Sequence, residues 1–103
     1  MIAREWKARL PIAEKERFLK YLNETGVKET SSINGFKGAQ VLVRDLESKT
    51  EVTLITYWSN FEAIEDFSGK DISKAKLYPE DYKYKLEPDN FVSHYEVVEN
   101  VWF

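Results

Sequence analysis

Cysteine is absent from this sequence, and histidine occurs once, at His94. Without a thiol there is no disulfide, no thiolate metal ligand and no cysteine nucleophile. Such a chain suits a reducing compartment, and the cytoplasm is the expected location. No long apolar run occurs anywhere, and residues 1–7 carry charges at short intervals instead of an apolar signal core. No membrane partner is expected. Glycine and proline are scarce, at 4 and 3 residues, which argues against a repetitive or disordered chain. Charge of one sign is not in excess either: 15 basic and 18 acidic residues are interspersed. The resulting net charge of −3 provides no basic field for a phosphate backbone, so no nucleic acid partner is expected. A glycine-rich phosphate loop, a Ser/His/Asp signature and a dinucleotide fingerprint are all missing. The carboxylates Glu80, Asp81, Glu87 and Asp89 have no histidine at ligand spacing, so no metal site is expected.

What is present is a globular composition, 43% hydrophobic and 15% aromatic over 103 residues, enough for one core and one domain spanning 1–103. Large side chains at Ile2, Arg4 and Trp6 alternate with Ala3, Glu5 and Lys7, the period of a strand over 2–8. Pro11 sits where a first helical turn tolerates it. Ile12, Phe18, Leu19 and Leu22 then recur at helical spacing, and Gly26 is the expected stop. The polar stretch 27–37 reads as a loop. Two runs rich in β-formers, 39–46 and 51–58, flank the connector Glu47-Ser48-Lys49-Thr50, so an antiparallel hairpin is predicted. Ser59 or Asn60 can cap a second helix, and with Ser59 the Glu62 three residues on would complete a capping box before Ala63, Ile64 and Phe67. Gly69 ends or interrupts that helix. A short helix over 72–77, a turn at Tyr78-Pro79-Glu80-Asp81 and a last strand over 91–98 follow, with an apolar tail Val101-Trp102-Phe103. The order is that of a split βαβ fold.

One feature of the strands points to a partner. Around residues 51–58, Val52, Leu54 and Trp58 occupy one parity while Thr53, Ile55 and Tyr57 occupy the other, so both sheet faces carry large apolar groups. Residues 39–44 repeat this more weakly. A second sheet from an identical subunit is the economical cover, with the C-terminal tail extending the last strand across the interface. Ordinary apolar exposure is the plainer alternative.

The junction Tyr57-Trp58-Ser59-Asn60-Phe61-Glu62-Ala63-Ile64, followed by Phe67 and a terminal strand bearing His94-Tyr95-Glu96-Val97, resembles the antibiotic-biosynthesis-monooxygenase-like family. That resemblance runs through nearly the whole chain as an ordered series of elements. It implies an α+β, ferredoxin-like βαββαβ fold with a four-stranded antiparallel sheet, paired into a homodimeric α/β barrel with a pocket between helices and sheet. It implies further either cofactor-independent oxygenation of a small aromatic substrate or haem degradation. For the haem branch the pattern fails at three places. Phe67 stands at the helix tryptophan position, Leu77 near the iron-ligand position, and Trp6 and Lys7 where the first strand would offer asparagine. No cofactor is expected.

Within the oxygenase reading the resemblance offers His94, Trp58 and Asn60 as catalytic candidates, with Arg4, Trp6, Tyr57, Phe67 and Tyr78 as pocket candidates. His94 titrates near neutrality and could take a phenolic proton, or it is a strand histidine at an interface. Trp58 either lines a pocket floor or is packing at a strand–helix junction. Arg4 and Trp6 share a strand face and either edge a pocket, or Arg4 pairs with a carboxylate such as Glu96. Tyr78–Asp81 with Tyr82 and Tyr84 is a pocket lid or a solvated loop. A non-catalytic barrel binding a small apolar ligand, or a stress-related module, is the alternative of a different class.

Overall fold

Strand β1 (Ile2–Pro11) alternates as expected but runs longer, because β3 pairs with it along its whole length. The computed structural model describes residues 1–102. Helix α1 (Lys15–Leu22) follows a 3-10 turn at Ile12–Glu14, and β2 (Phe36–Asp45) and β3 (Lys49–Trp58) form the antiparallel hairpin. Helix α2 is Phe61–Ser68. The last strand position is filled by two short segments, β4 (Glu87–Pro88) and β5 (Ser93–Glu96), both antiparallel to β1. Strands run β2-β3-β1 across the sheet, with β4 and β5 along the far edge of β1. Because β3 lies between β1 and β2, the crossover through α1 is the split βαβ unit of an α+β, ferredoxin-like βαββαβ sheet.

The register sorts the two faces. Ile2, Arg4, Trp6 and Ala8 stand opposite Trp58, Thr56, Leu54 and Val52, and this is the face the helices cover. Phe18 and Leu22 of α1 pack on Ala8, Leu10 and Val52, with Leu86, forming one buried cluster. Trp58, Ala63 and Ile64 form a second, supported by Ile2, Ile33, Phe36, Phe67 and Ile72. The outer face carries Glu5, Lys7 and Arg9 of β1 beside Ile55, Thr53 and Glu51 of β3. Both-face apolarity holds in part: Leu42 and Tyr95 are exposed there and Ile55 and Tyr57 are half-buried. Yet Arg44 Nε donates to Glu51 Oε1 at 2.8 Å, and Lys7 Nζ donates to Thr53 Oγ1 at 3.0 Å, so one end of that face is polar.

Three sequence expectations are corrected, and of the two caps offered for α2 one is selected. Gly26 does not stop the helix, since the chain continues through a π-helical segment, Asn23–Glu29. Its missing Cβ serves close packing instead: a methyl there would lie 2.9 Å from Leu22 Cδ1 and 3.2 Å from Leu54 Cδ2. Asn60, not Ser59, caps α2, its Oδ1 accepting from the Ala63 N–H at 2.9 Å. No helix forms over 72–77. There the backbone is claimed by other partners, with the Ala75 N–H donating to the Asn90 carbonyl and the Val92 N–H to the Ser73 carbonyl. The last strand is shorter than 91–98, ending at Glu96, and Val101 and Trp102 are exposed and outside any strand. The tail's Phe103 lies outside the described residues.

Candidate functional site

Between the two buried clusters lies a cavity of about 50 Å³. Its floor is the covered sheet face, with Arg4 and Trp6 of β1 and Leu54 and Thr56 of β3. One wall is Leu22, Thr25 and Gly26. The other is Phe67, Ala75, Lys76, Tyr78 and Asp81. The second wall has little regular structure. It is held by a 3-10 turn, Pro79–Tyr84, in which Asp81 Oδ2 accepts from the Tyr78 N–H at 2.8 Å, and by bonds from β1 side chains.

Arg4 is the unusual member. It is only 4% exposed and makes no ion pair among the described residues. Its Nη1 donates to the Ile72 carbonyl at 2.6 Å and its Nη2 to the Lys74 carbonyl at 2.9 Å. Nη1 also lies 3.0 Å from His94 Nε2. A guanidinium can only donate, so that nitrogen must accept and the imidazole proton must sit on Nδ1. Burial pulls the guanidinium from 12.5 down to about 10, which leaves it charged at neutral pH. Burial, then the charge of Arg4, pushes His94 below its ordinary value, so both effects favour the neutral ring. The Phe67 ring packs 5.9 Å from the guanidinium carbon. Burial, reinforced by Glu29 and Asp81, raises the Tyr78 phenol.

Of the residues singled out in the sequence, Arg4, Trp6, Phe67 and Tyr78 converge on this cavity. His94 does not line it but stands behind Arg4, opposite it in the β1–β5 register. Arg4 does not pair with Glu96, which faces Ile2. Trp58 is fully buried in the second cluster, its Nε1–H donating to Thr56 Oγ1 at 2.8 Å and its ring 5.3 Å from both Phe36 and Phe67. It is not a pocket floor. Asn60 is exposed and spent as a helix cap, and the Tyr57 hydroxyl donates to Gln40 Oε1 at 2.6 Å from the outer face. In the presumed lid, Tyr82 is exposed, whereas Tyr84 packs 5.5 Å from Phe18 and 5.1 Å from Tyr21. Sequence reasoning held Asp81 only as part of a possible lid and missed Thr25 and Gly26 as cavity residues. For Asp81 the only signal was a buried-capable carboxylate three residues after Tyr78, which reads equally as a turn.

The elements that frame this cavity build a ferredoxin-like α+β fold, and solved structures share it. One solved structure that it resembles is a presumed antibiotic biosynthesis monooxygenase from Bacillus cereus (TM-score 0.66, 15% identity, 100% of this chain and 98% of that one). Another is the heme-degrader MhuD from Mycobacterium tuberculosis, with two hemes bound in its active site (0.62, 17%, 99% and 100%). A third is a dimeric ferredoxin-like protein from an uncultured marine organism (0.58, 18%, 97% and 98%). No protein-family model matches the chain, and no curated protein matches it. At these identities the likeness carries the fold and leaves the chemistry to the site. The site does not suit haem. The single imidazole has its Nε2 engaged by a guanidinium, and the cavity is far smaller than a porphyrin.

Proposed function

We propose that this chain is a cofactor-independent, monooxygenase-like protein that takes a small aromatic molecule into the Arg4 cavity. The observation that carries the reading is a buried guanidinium without an ion pair that floors, with Trp6, a mainly apolar cavity walled by Phe67 and Tyr78. Oxygenation without a cofactor requires that the substrate itself become electron-rich, and a fixed cation beside an aromatic site stabilises the anion that does so. The cavity's 50 Å³ is about a third of the ~150 Å³ void that admits benzene, so binding moves a wall. The wall that gives is the irregular segment through Lys76–Asp81, not the sheet.

One observation favours the non-catalytic alternative, a barrel that only binds its ligand. His94 is held as an acceptor by Arg4 and does not face the cavity as a free base. Oxygen uptake with a panel of mono- and dihydric phenols, in chelator and without reductant, separates the two. Uptake that disappears in Arg4→Gln supports the oxygenase. Saturable binding with no uptake for any phenol leaves the binding module, and the absence of both refutes the shared pocket.

A second copy completes this reading. Leu42 and Tyr95 are exposed on the outer sheet face around Ile55 and Tyr57, and Val41 and Val43 are exposed on the free strand β2. A fold neighbour is a dimer. Sedimentation equilibrium at micromolar concentration should return twice the 12.1 kDa chain mass, and Ile55→Lys should return the monomer. A monomeric wild type overturns the dimer.

A further inference from the structure

Two groups of opposite charge line one cavity, each almost out of solvent and neither paired with an ion of the chain. Arg4 is 4% exposed and Asp81 is 5% exposed. Neither makes an ion pair with the other or with any described residue. A guanidinium has five N–H donors, of which the chain uses three, on the carbonyls of Ile72 and Lys74 and on His94. The Nε–H and one Nη2–H have no acceptor among the described residues. Asp81 accepts from the Tyr78 N–H on Oδ2 and has the Tyr21 hydroxyl beside it, two donors for a carboxylate with about four lone-pair sites. A buried charge without a partner is costly unless something completes it.

The remaining polar groups at the cavity bias the pattern without cancelling it. Lys76 Nζ donates to the Phe67 carbonyl at 3.1 Å and stands 4.8 Å from the Phe67 ring, adding positive potential on the Phe67 side. Outside the lining, the buried Tyr21 hydroxyl stands beside the Asp81 carboxylate, and burial and that carboxylate hold it protonated. It is a donor on the acidic side. Between the charged groups the lining is Trp6, Leu54, Phe67, Ala75 and Val92.

Resting on the pocket reading above, we infer that the cavity selects a ring carrying an acidic group at one end and a hydroxyl or amino donor at the other. The anion meets Arg4, and the donor meets Asp81. In chemical class this is a hydroxylated or aminated aryl acid, and Asp81 is the residue that distinguishes it from the plain acid. A ligand anion takes the two idle N–H groups of Arg4 without displacing Ile72, Lys74 or His94, while a ligand O–H reaches the idle lone pairs of Asp81.

Titration of the wild-type chain, followed by amide NMR shifts, tests this with five probes: 3-hydroxybenzoate, 4-hydroxybenzoate, benzoate, phenol and toluene. One of the two hydroxybenzoates should bind about tenfold or more tighter than benzoate or phenol, the worth of one charge-assisted hydrogen bond. Asp81→Asn should shrink the ratio of hydroxybenzoate to benzoate affinity toward one, a ratio that a general loosening of the wall would not move. Because the probe series is run on the unaltered protein, poor folding of the variant does not remove the test. If benzoate and both hydroxybenzoates bind alike, the inference falls and the pocket reading stands. If toluene binds as tightly as the acids, the inference falls again and the alternative of a purely apolar binder stands. No shift at the cavity with any probe at millimolar concentration overturns both.

Discussion

Replacing Trp58 tests whether this residue belongs to the chemistry or to the core. Its side chain is fully buried between Phe36 and Phe67, and its Nε1–H satisfies Thr56 Oγ1. Trp58→Phe removes that hydrogen bond, a loss of about 1 kcal/mol. It also opens a void of roughly 40 Å³, which at ~24 cal/mol per Å³ adds about 1 kcal/mol. A loss of about 2 kcal/mol in a domain of this length lowers the Tm by roughly 8–16 °C. Trp58→Ala should cost about 3–5 kcal/mol, a large part of the stability of a small domain. Thermal and urea unfolding measure the loss, and binding of an aryl acid to the Phe variant, well below its Tm, measures the site. Affinity should stay within about threefold, since Trp58 does not line the cavity and touches it only through Phe67 and Thr56. A Phe variant with wild-type stability and no binding would refute the placement of Trp58 in the core.

Three further changes probe the cavity and its supports. His94 sits below its ordinary value because burial and Arg4 favour the neutral ring. Stability is therefore fully present above the unfolded value near 6.5, and it declines as pH falls from there through the depressed folded value. His94→Gln, which keeps an acceptor for Arg4, should remove that part of the pH slope in urea titrations, while the loss at lower pH tied to Asp45, Glu51 and Asp71 persists. Gly26→Ala places a methyl against the flexible ends of Leu22 and Leu54 at the cavity wall, so aryl-acid affinity should fall several-fold with little change in Tm. Gly35→Ala should cost more than about 1 kcal/mol, because φ is +93° there and the new methyl would lie 2.6 Å from Ala63 Cβ. A Tm equal to that of wild type would refute it.

The sheet was legible because its residues encode it locally. Ile2, Arg4 and Trp6 alternate, the β2–β3 hairpin is bounded by a charged connector, and Asn60 is a side chain that caps. The same alternation places Arg4 and Trp6 on one face, which is why these two floor residues of the pocket could be named from sequence. What was not legible depends on pairings distant in the chain. Residues 72–77 read as a short helix, yet the carbonyls of Ile72 and Lys74 go to Arg4, 68 and 70 residues earlier. Gly26 reads as a helix stop because glycine tolerates positive φ, whereas here its value is close approach. Trp58 and Tyr57 are aromatic and adjacent, and only the register shows that one faces the core and the other the opposite side.

The cavity wall and the sheet are joined by the residues that make the site. Beyond Gly69 the described residues form no long helix or strand, and they are fastened to β1 in part by side chains of that strand. Arg4 holds the carbonyls of Ile72 and Lys74, the Trp6 Nε1–H donates to the Asp89 carbonyl at 3.1 Å, and Arg9 Nη2 pairs with Asp89 Oδ1 at 2.8 Å. Two of these three anchors, Arg4 and Trp6, also floor the cavity. A ligand that engages Arg4 therefore acts on the group that fixes the wall, and a ligand that engages Asp81 acts on the turn that shapes it. Binding at both ends ties sheet and wall through a third path beside the hydrogen bonds already present. By linkage, the segment after Gly69 should gain protection from amide exchange when the site is filled, more than β3 does.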